Sequence, residues 1–119
     1  MDLSCLQFLL RVETMLRVMV ILVRRLEQPG VLLSSPDSHQ FTCGYVELEQ
    51  GKEVGEHKTG GGEELVILMD GTAEVLCDVE TETVHAPAVV LVPPHTPHNI
   101  KNRSATPLRY LYVYGTAVS

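Results

Sequence analysis

The sequence lacks the features that would mark a disulfide-stabilised protein or a nucleic-acid-binding protein. Its three cysteines, Cys5, Cys43 and Cys77, lie far apart and include no C-x-x-C pair, so neither a disulfide framework nor a thiolate metal site is predicted. Nine basic residues are scattered among fifteen acidic ones, and the formal charge of −6 argues against a nucleic-acid partner. We therefore expect buried, reduced thiols in a cytoplasmic protein.

The sequence also lacks an uninterrupted apolar run long enough for a membrane-spanning helix, so no membrane partner is expected. Three charged residues break up the apolar first 23 residues: Arg11, Glu13 and Arg17. A signal peptide would open with basic residues, whereas this chain opens with Met1-Asp2. Leucines at helical spacing behind Asp2 or Ser4 predict a short helix in an N-terminal extension, residues 1–18. Alternatively, the natural chain starts at Met15 or Met19.

From residue 19 onward the helical period disappears, and one all-β domain is predicted over residues 19–119. Apolar or alternating residues between turn signals predict strands over 19–23, 41–49, 65–69, 73–79, 84–92 and 108–113. Asp70-Gly71 predicts a hairpin, and residues 102–107 predict another turn. Short strands that recur with regular turns are typical of a sandwich or barrel, and closing a barrel removes exposed edges.

Two stretches combine histidines, an acid and turn residues at fixed spacing. The first reads Gly51-x5-His57-x-Thr59-x4-Glu64-x6-Gly71, and the second reads Pro93-x-His95-x2-His98-x3-Asn102. Together they resemble the paired motifs of the cupin superfamily, G-x5-H-x-H-x3-4-E-x6-G and P-x-G-x2-H-x3-N, and the resemblance covers about residues 40 to 114. It implies a single antiparallel β-barrel of the double-stranded β-helix, or jelly-roll, type.

The cupin resemblance also implies a divalent metal held by His57, Glu64 and His98. Thr59 stands where the family has a further histidine ligand, and a threonine hydroxyl is a poor ligand at neutral pH. Two imidazoles and one carboxylate form an open site that suits iron(II). Zinc also accepts three protein ligands plus water, and manganese and nickel stay open. A barrel that lost a ligand and binds small molecules without metal is the alternative.

Two neighbours of this set leave the assignment open. Glu63 precedes Glu64, and on a strand only one of them points inward; the spacing to Gly71 favours Glu64. His95 occupies the position of the family's turn glycine. It is a candidate fourth ligand or proton-transfer residue, although a solvated turn residue is the simpler interpretation.

Tyr110, Tyr112 and Tyr114 alternate along the last predicted strand and should share one face. They could line a pocket, while core packing or a subunit interface is the plainer alternative.

The sequence supports two hypotheses of function. The first is a metal-dependent cupin enzyme, of the oxygenase or isomerase type, that acts on a small organic substrate. The second is a non-catalytic module that binds or senses a small ligand. The apolar run over residues 19–23 is a candidate strand for exchange between subunits, so a homodimer is expected.

Overall fold

The computed structural model of the chain describes residues 21–115, and all the regular structure within them is β-structure. The strands are β1 (Gly30–Leu33), β2 (Phe41–Leu48), β3 (His57–Lys58), β4 (Glu64–Asp70), β5 (Thr72–Cys77), β6 (Glu80–His85), β7 (Ala88–Val92), β8 (Pro97–Asn102) and β9 (Leu108–Gly115). The helix predicted within residues 1–18 lies outside the described residues.

These strands form two sheets in which all neighbours are antiparallel. A five-stranded sheet has the order β1-β2-β9-β4-β7, and a four-stranded sheet has the order β3-β8-β5-β6. Neighbours in sequence, such as β4 and β5, therefore belong to different sheets, as in a jelly-roll barrel. The predicted all-β, antiparallel double-stranded β-helix is confirmed.

The core lies between the two sheets because alternate side chains of each strand point inward. Val66 and Leu68 of β4 and Leu108 of β9 are fully buried on the inner face of the five-stranded sheet. Val75 of β5 and Ile100 of β8 meet them from the four-stranded sheet. Glu64, the first residue of β4, lies two residues before Val66, so the same alternation places it on the inner face of the five-stranded sheet.

The hairpin predicted at Asp70-Gly71 is wrong, because the chain changes sheet there. β4 pairs with β7 and β9, whereas β5, which starts one residue after Gly71, pairs with β6 and β8. Gly71 has a φ of 95°, and a Cβ at this position would lie 2.7 Å from the carbonyl oxygen of Pro107. Glycine is therefore required at this corner by both conformation and space.

The strand predicted over residues 84–92 is two strands that belong to different sheets. β6 ends at His85 and β7 begins at Ala88, and Pro87 between them has no N–H to continue the ladder. The strand predicted over residues 19–23 is also wrong for the described part: residues 21–23 lie outside any strand, and Ile21 is 90% exposed. An apolar run forms a strand only where a neighbouring strand offers backbone groups to pair with.

Candidate metal centre

The two motif histidines lie side by side in the four-stranded sheet. The pairing of β3 with β8 sets His57 directly opposite His98, and their ring centroids are 4.1 Å apart. His98 is buried, whereas His57 is exposed at the open side of the barrel. The antiparallel register therefore brings together two residues that are far apart in the chain.

Glu64 approaches the histidines from the opposite sheet, as the first residue of β4. Oε1 of Glu64 lies 3.6 Å from Nε2 of His98, and one ligand atom each of His57, Glu64 and His98 lies within 4.8 Å of the others. The structure thus brings the three predicted ligands to one place. The cluster bridges the two sheets, so its geometry depends on the closed barrel.

Backbone carbonyls fix which nitrogen of each imidazole carries the proton. Nδ1 of His57 is 2.9 Å from the carbonyl oxygen of Gly55, and Nδ1 of His98 is 2.9 Å from that of Thr96. A carbonyl oxygen only accepts, so each Nδ1 donates and each neutral ring keeps its lone pair on Nε2. A carbonyl partner on the far nitrogen is the usual outer support of a metal-ligating histidine.

The buried Nε2 of His98 is the observation against which a metal can be tested. It is inaccessible to solvent and has no hydrogen-bond partner among residues 21–115. The Glu64 carboxylate facing it at 3.6 Å is also an acceptor when ionised. Two acceptors face each other with no donor between them, and a bound cation satisfies both. The residues present therefore fit a divalent metal.

Thr59, in the corner that the family gives to a histidine, has a different use. Its hydroxyl donates to the carbonyl oxygen of Pro93 at 2.6 Å and accepts from the N–H of Thr96 at 2.9 Å. Thr59 is buried, and its hydroxyl is thus committed to backbone groups of the second motif. It ties the loop after β3 to the loop before β8, the strand that carries His98.

His95 and Glu63, the less favoured candidates, are both exposed. His95 adopts a φ of 54°, in the left-handed region where the family motif has glycine, and its N–H donates to the carbonyl oxygen of Gly60. Within the described residues, the cluster of ligand atoms contains neither side chain. Glu64, not Glu63, is the acid that the structure directs to the histidines.

Sequence reasoning missed Asn99, which is buried beside the histidines. Its side-chain oxygen accepts from the N–H groups of Gly55 and Ile100, and its amide nitrogen donates to Glu53 at 2.8 Å. Gly55 in turn supplies the carbonyl that holds Nδ1 of His57. Only the position directly after His98 could have drawn attention to Asn99, since Gly55 and Glu53 lie more than forty residues away from it in the chain.

An open cleft of about 320 Å³ lies against the cluster. From the five-stranded sheet it is lined by Val46, Glu64, Tyr110 and Tyr112, and from the four-stranded sheet and the loop before it by Val54, His57 and Ile100. Burial raises the pKa of Tyr110 and Tyr112, and the nearby Glu64 carboxylate raises both further. The cleft therefore combines an apolar surface, two protonated phenols and two of the three candidate metal ligands, His57 and Glu64.

Tyr110 is also part of the core, so pocket lining and core packing, which the sequence left as alternatives, both apply to it.

The remaining described histidines, His39 and His85, are exposed and lie outside the cluster. The free thiols of Cys43 and Cys77 are half-buried, not fully buried as expected. None of the described residues forms a helix that could cross a membrane.

The fold and the cluster define a class: small double-stranded β-helix barrels with a candidate metal pocket between the sheets. The family model of the cupin domain, Cupin_2, matches residues 44–114, which is more than half of the chain. The chain therefore belongs to the cupin family. No curated protein matches the sequence at a significant level.

Solved structures support the same fold. A Thermotoga maritima protein described as a predicted oxalate decarboxylase superposes with a TM-score of 0.72 at 22% identity, over 79% of this chain and 98% of that one. A cupin 2 conserved barrel domain protein from Salinispora arenicola gives 0.67 at 25% identity, over 85% and 92%. The Cnp3 cupin domain of Schizosaccharomyces pombe gives 0.68 at 23% identity over 74% of this chain, which spans only 63% of that domain.

Proposed function

We propose that the protein binds one divalent transition metal through His57, Glu64 and His98 and acts on a small organic molecule in the adjoining cleft. The observation that carries the proposal is the buried Nε2 of His98, which lacks a hydrogen-bond partner among the described residues and faces the Glu64 carboxylate. An unpaired buried nitrogen beside a carboxylate is costly, and a cation removes that cost.

The metal would act as a Lewis acid or as an oxygen site toward the bound molecule, which corresponds to an isomerase or an oxygenase reaction. Iron, zinc, manganese and nickel all accept this ligand set. The protein's own residues do the rest: carbonyl partners orient the two imidazoles, and the barrel wall excludes water from the buried side. Because His57 is exposed, the small molecule can enter the cleft from the side on which His57 lies.

Elemental analysis of purified protein tests the metal site. We expect close to one transition-metal ion per chain in the wild type, and loss of it in His57→Ala and in His98→Ala. His39→Ala is the matched control, because His39 is exposed and lies outside the cluster. If the wild type carries no metal and gains none on soaking, the metal-dependent function is wrong.

The second candidate is a non-catalytic cupin that binds or senses a small ligand. The specific observation in its favour is Thr59, since its hydroxyl is engaged with two backbone groups and the candidate site keeps only three protein ligands. Oxygen consumption and product analysis over a panel of small phenols, thiols and diketones separate the two. Turnover that disappears in His98→Ala supports an enzyme; ligand binding without turnover supports the module.

The homodimer remains a proposal, supported by the outer face of the five-stranded sheet. Phe41 of β2 and Val89 and Leu91 of β7 are at least half exposed there. Such an apolar sheet face suits a second copy of the chain. Light scattering that gives the mass of a single chain would contradict the dimer.

We also propose a cytoplasmic location. The free thiols of Cys43 and Cys77 support it, and fractionation of the source cells would test it.

A further inference from the structure

The four tyrosines of the chain divide into two pairs by what their hydroxyls do. The hydroxyl of Tyr45 donates to Glu47 at 2.7 Å, and that of Tyr114 accepts from the N–H of Gly62 at 3.1 Å. Tyr110 and Tyr112 have no hydrogen-bond partner among residues 21–115, although Tyr110 is only 3% exposed. Both of the unpaired phenols line the cleft.

Within residues 21–115, Nε2 of His98 is the fully enclosed side-chain nitrogen or oxygen that has no partner, so the two phenol hydroxyls are not enclosed atoms and open onto the cleft that they line. Tyr110 and Tyr112 lie two residues apart on β9 and therefore point to the same face. Both phenols line the same cleft as His57 and Glu64, two of the candidate metal ligands. A ligand held in the cleft would supply the acceptors that the protein does not.

The position of Tyr112 depends on a glycine in the neighbouring strand. Gly44 of β2 is paired with Tyr112, and a Cβ at Gly44 would overlap the ring and hydroxyl of Tyr112. A glycine in a strand interior weakens the strand and often marks a close approach of another group. Here it lets the phenol lie flat across β2 at the wall of the cleft.

The other groups of the cleft narrow the chemistry of the ligand. Both phenols stay protonated because burial and Glu64 raise their pKa, so they present donors and not a negative charge. Ile100 of the four-stranded sheet and the adjacent Val54 line the cleft across from them with apolar side chains, and Val46 lies beside Tyr110 in the neighbouring strand β2. A volume of about 320 Å³ corresponds to about ten non-hydrogen atoms, at about 30 Å³ for each water-sized unit.

We propose that Tyr110 and Tyr112 are specificity-determining donors that select a compact ligand with a ketone or carboxylate oxygen on an apolar body. The inference rests on the proposed function for the presence of a ligand in the cleft. The oxygen acceptor meets the two phenols, and the apolar body packs against the wall that contains Ile100. A ligand with donors only, such as an aliphatic ammonium ion, can meet the phenol oxygens but leaves both phenol protons without an acceptor.

Titration calorimetry with 4-methyl-2-oxopentanoate, on protein loaded with zinc, tests the donors. Tyr110→Phe and Tyr112→Phe keep the rings, and each should weaken binding about fivefold to tenfold, the usual effect of one hydrogen bond. The zinc content of both variants should stay at the wild-type value. Because each change removes an unpaired hydroxyl, neither should lower the thermal midpoint.

Tyr45→Phe is the matched control, since the Tyr45 hydroxyl is paired with Glu47 and does not line the cleft. It should lower the thermal midpoint and leave the affinity for the probe unchanged. Wild-type affinity in both cleft variants, or no binding of the probe to zinc-loaded wild type, overturns the inference and leaves the metal site standing. Absence of zinc binding instead refutes the proposed function, and the same titration on metal-free protein then still tests the phenols.

Discussion

Nε2 of His98 and Oε1 of Glu64 face each other at 3.6 Å across the two sheets, and both atoms are hydrogen-bond acceptors when the imidazole is neutral and the acid ionised. The carbonyl of Thr96 holds the proton on the other ring nitrogen of His98. In that state two acceptors face each other without a donor between them, and either a proton shared by the pair or a bound cation between them removes the repulsion.

Glu64→Gln should separate the metal site from the stability of the metal-free protein. The amide of glutamine can donate to Nε2 of His98, so the metal-free variant should be more stable than the wild type by about 1 kcal/mol. Saturating metal at a hundred times its dissociation constant should stabilise the wild type by about 2.7 kcal/mol and the variant far less. Urea unfolding with and without metal measures both. A variant that is less stable without metal and equally stabilised by it would contradict the assignment.

Thr59→Val should destabilise the protein without removing a metal ligand. The change is nearly isosteric but leaves the carbonyl of Pro93 and the N–H of Thr96 without their buried partner, and a loss of about 1–3 kcal/mol is expected. Thr59→Ser keeps the hydroxyl and is the matched control. Urea unfolding gives the free energies, and elemental analysis gives the metal content. Normal stability combined with lost metal would identify Thr59 as a ligand instead.

The resemblance to the cupin motifs predicted that the three side chains converge, and the strand register observed in the structure explains how they do so. His57 and His98 are opposite one another in β3 and β8, although neither short strand has an apolar pattern that could reveal it. What the sequence could not show is which sheet each strand joins. Asp70-Gly71 has the composition of a hairpin, and only the approach of Pro107 and the pairing of β4 with β9 make it a corner.

Contacts between distant segments were the other part that the sequence could not supply. Asn99 looks like an ordinary polar residue of a strand until Gly55 and Glu53, more than forty residues earlier, are placed around it. The left-handed conformation of His95 could have been predicted, since the family motif has glycine at that position. The sequence alone did not decide between a ligand, a proton-transfer residue and a turn residue. Local chemistry was predictable, and partners set by tertiary packing were not.

His95→Gly tests whether this exposed histidine has a role beyond the turn. A residue other than glycine in the left-handed region is strained by about 1–2 kcal/mol, partly offset by the flexibility that glycine adds to the unfolded chain. The variant should therefore be at least as stable as the wild type and should keep its metal. His95→Ala, which keeps the strain, is the control. Metal loss in both variants would make His95 a fourth ligand.

Asn99→Ala should weaken metal binding through His57 although Asn99 contacts no metal. The change removes the acceptor that holds Gly55, whose carbonyl orients the His57 ring, and outer partners of this kind are worth about tenfold to a hundredfold in metal affinity. The affinity is measured by competition with a chelator of known strength. Glu53→Gln is the control: it keeps an acceptor for the Asn99 amide and should change the metal affinity little. Unchanged affinity in Asn99→Ala would show that His57 needs no such support.

Stability should decline in alkaline solution because the fold keeps Tyr110 protonated. Burial, with Glu64 as the second cause, raises the pKa of Tyr110 above its ordinary value of 10.0. The folded state then holds this proton more tightly than the unfolded state, so the contribution is complete below pH 10 and is lost as the pH rises above it. The expected slope is about 1.4 kcal/mol per pH unit for one phenol.

Urea unfolding of metal-free protein between pH 8 and pH 11.5, about the range in which a phenol of ordinary pKa ionises, measures this slope. Tyr110→Phe should make the decline less steep without abolishing it, because burial also raises the pKa of Tyr45 and Tyr112, and the absorbance of ionised phenols follows these remaining tyrosines. Burial also raises the pKa of Cys43 and Cys77 above their ordinary 9.0, so a variant with both Cys43→Ala and Cys77→Ala serves as the control for the part of the decline that begins at lower pH. A wild-type slope that Tyr110→Phe leaves unchanged would contradict the raised pKa of this phenol in the folded protein.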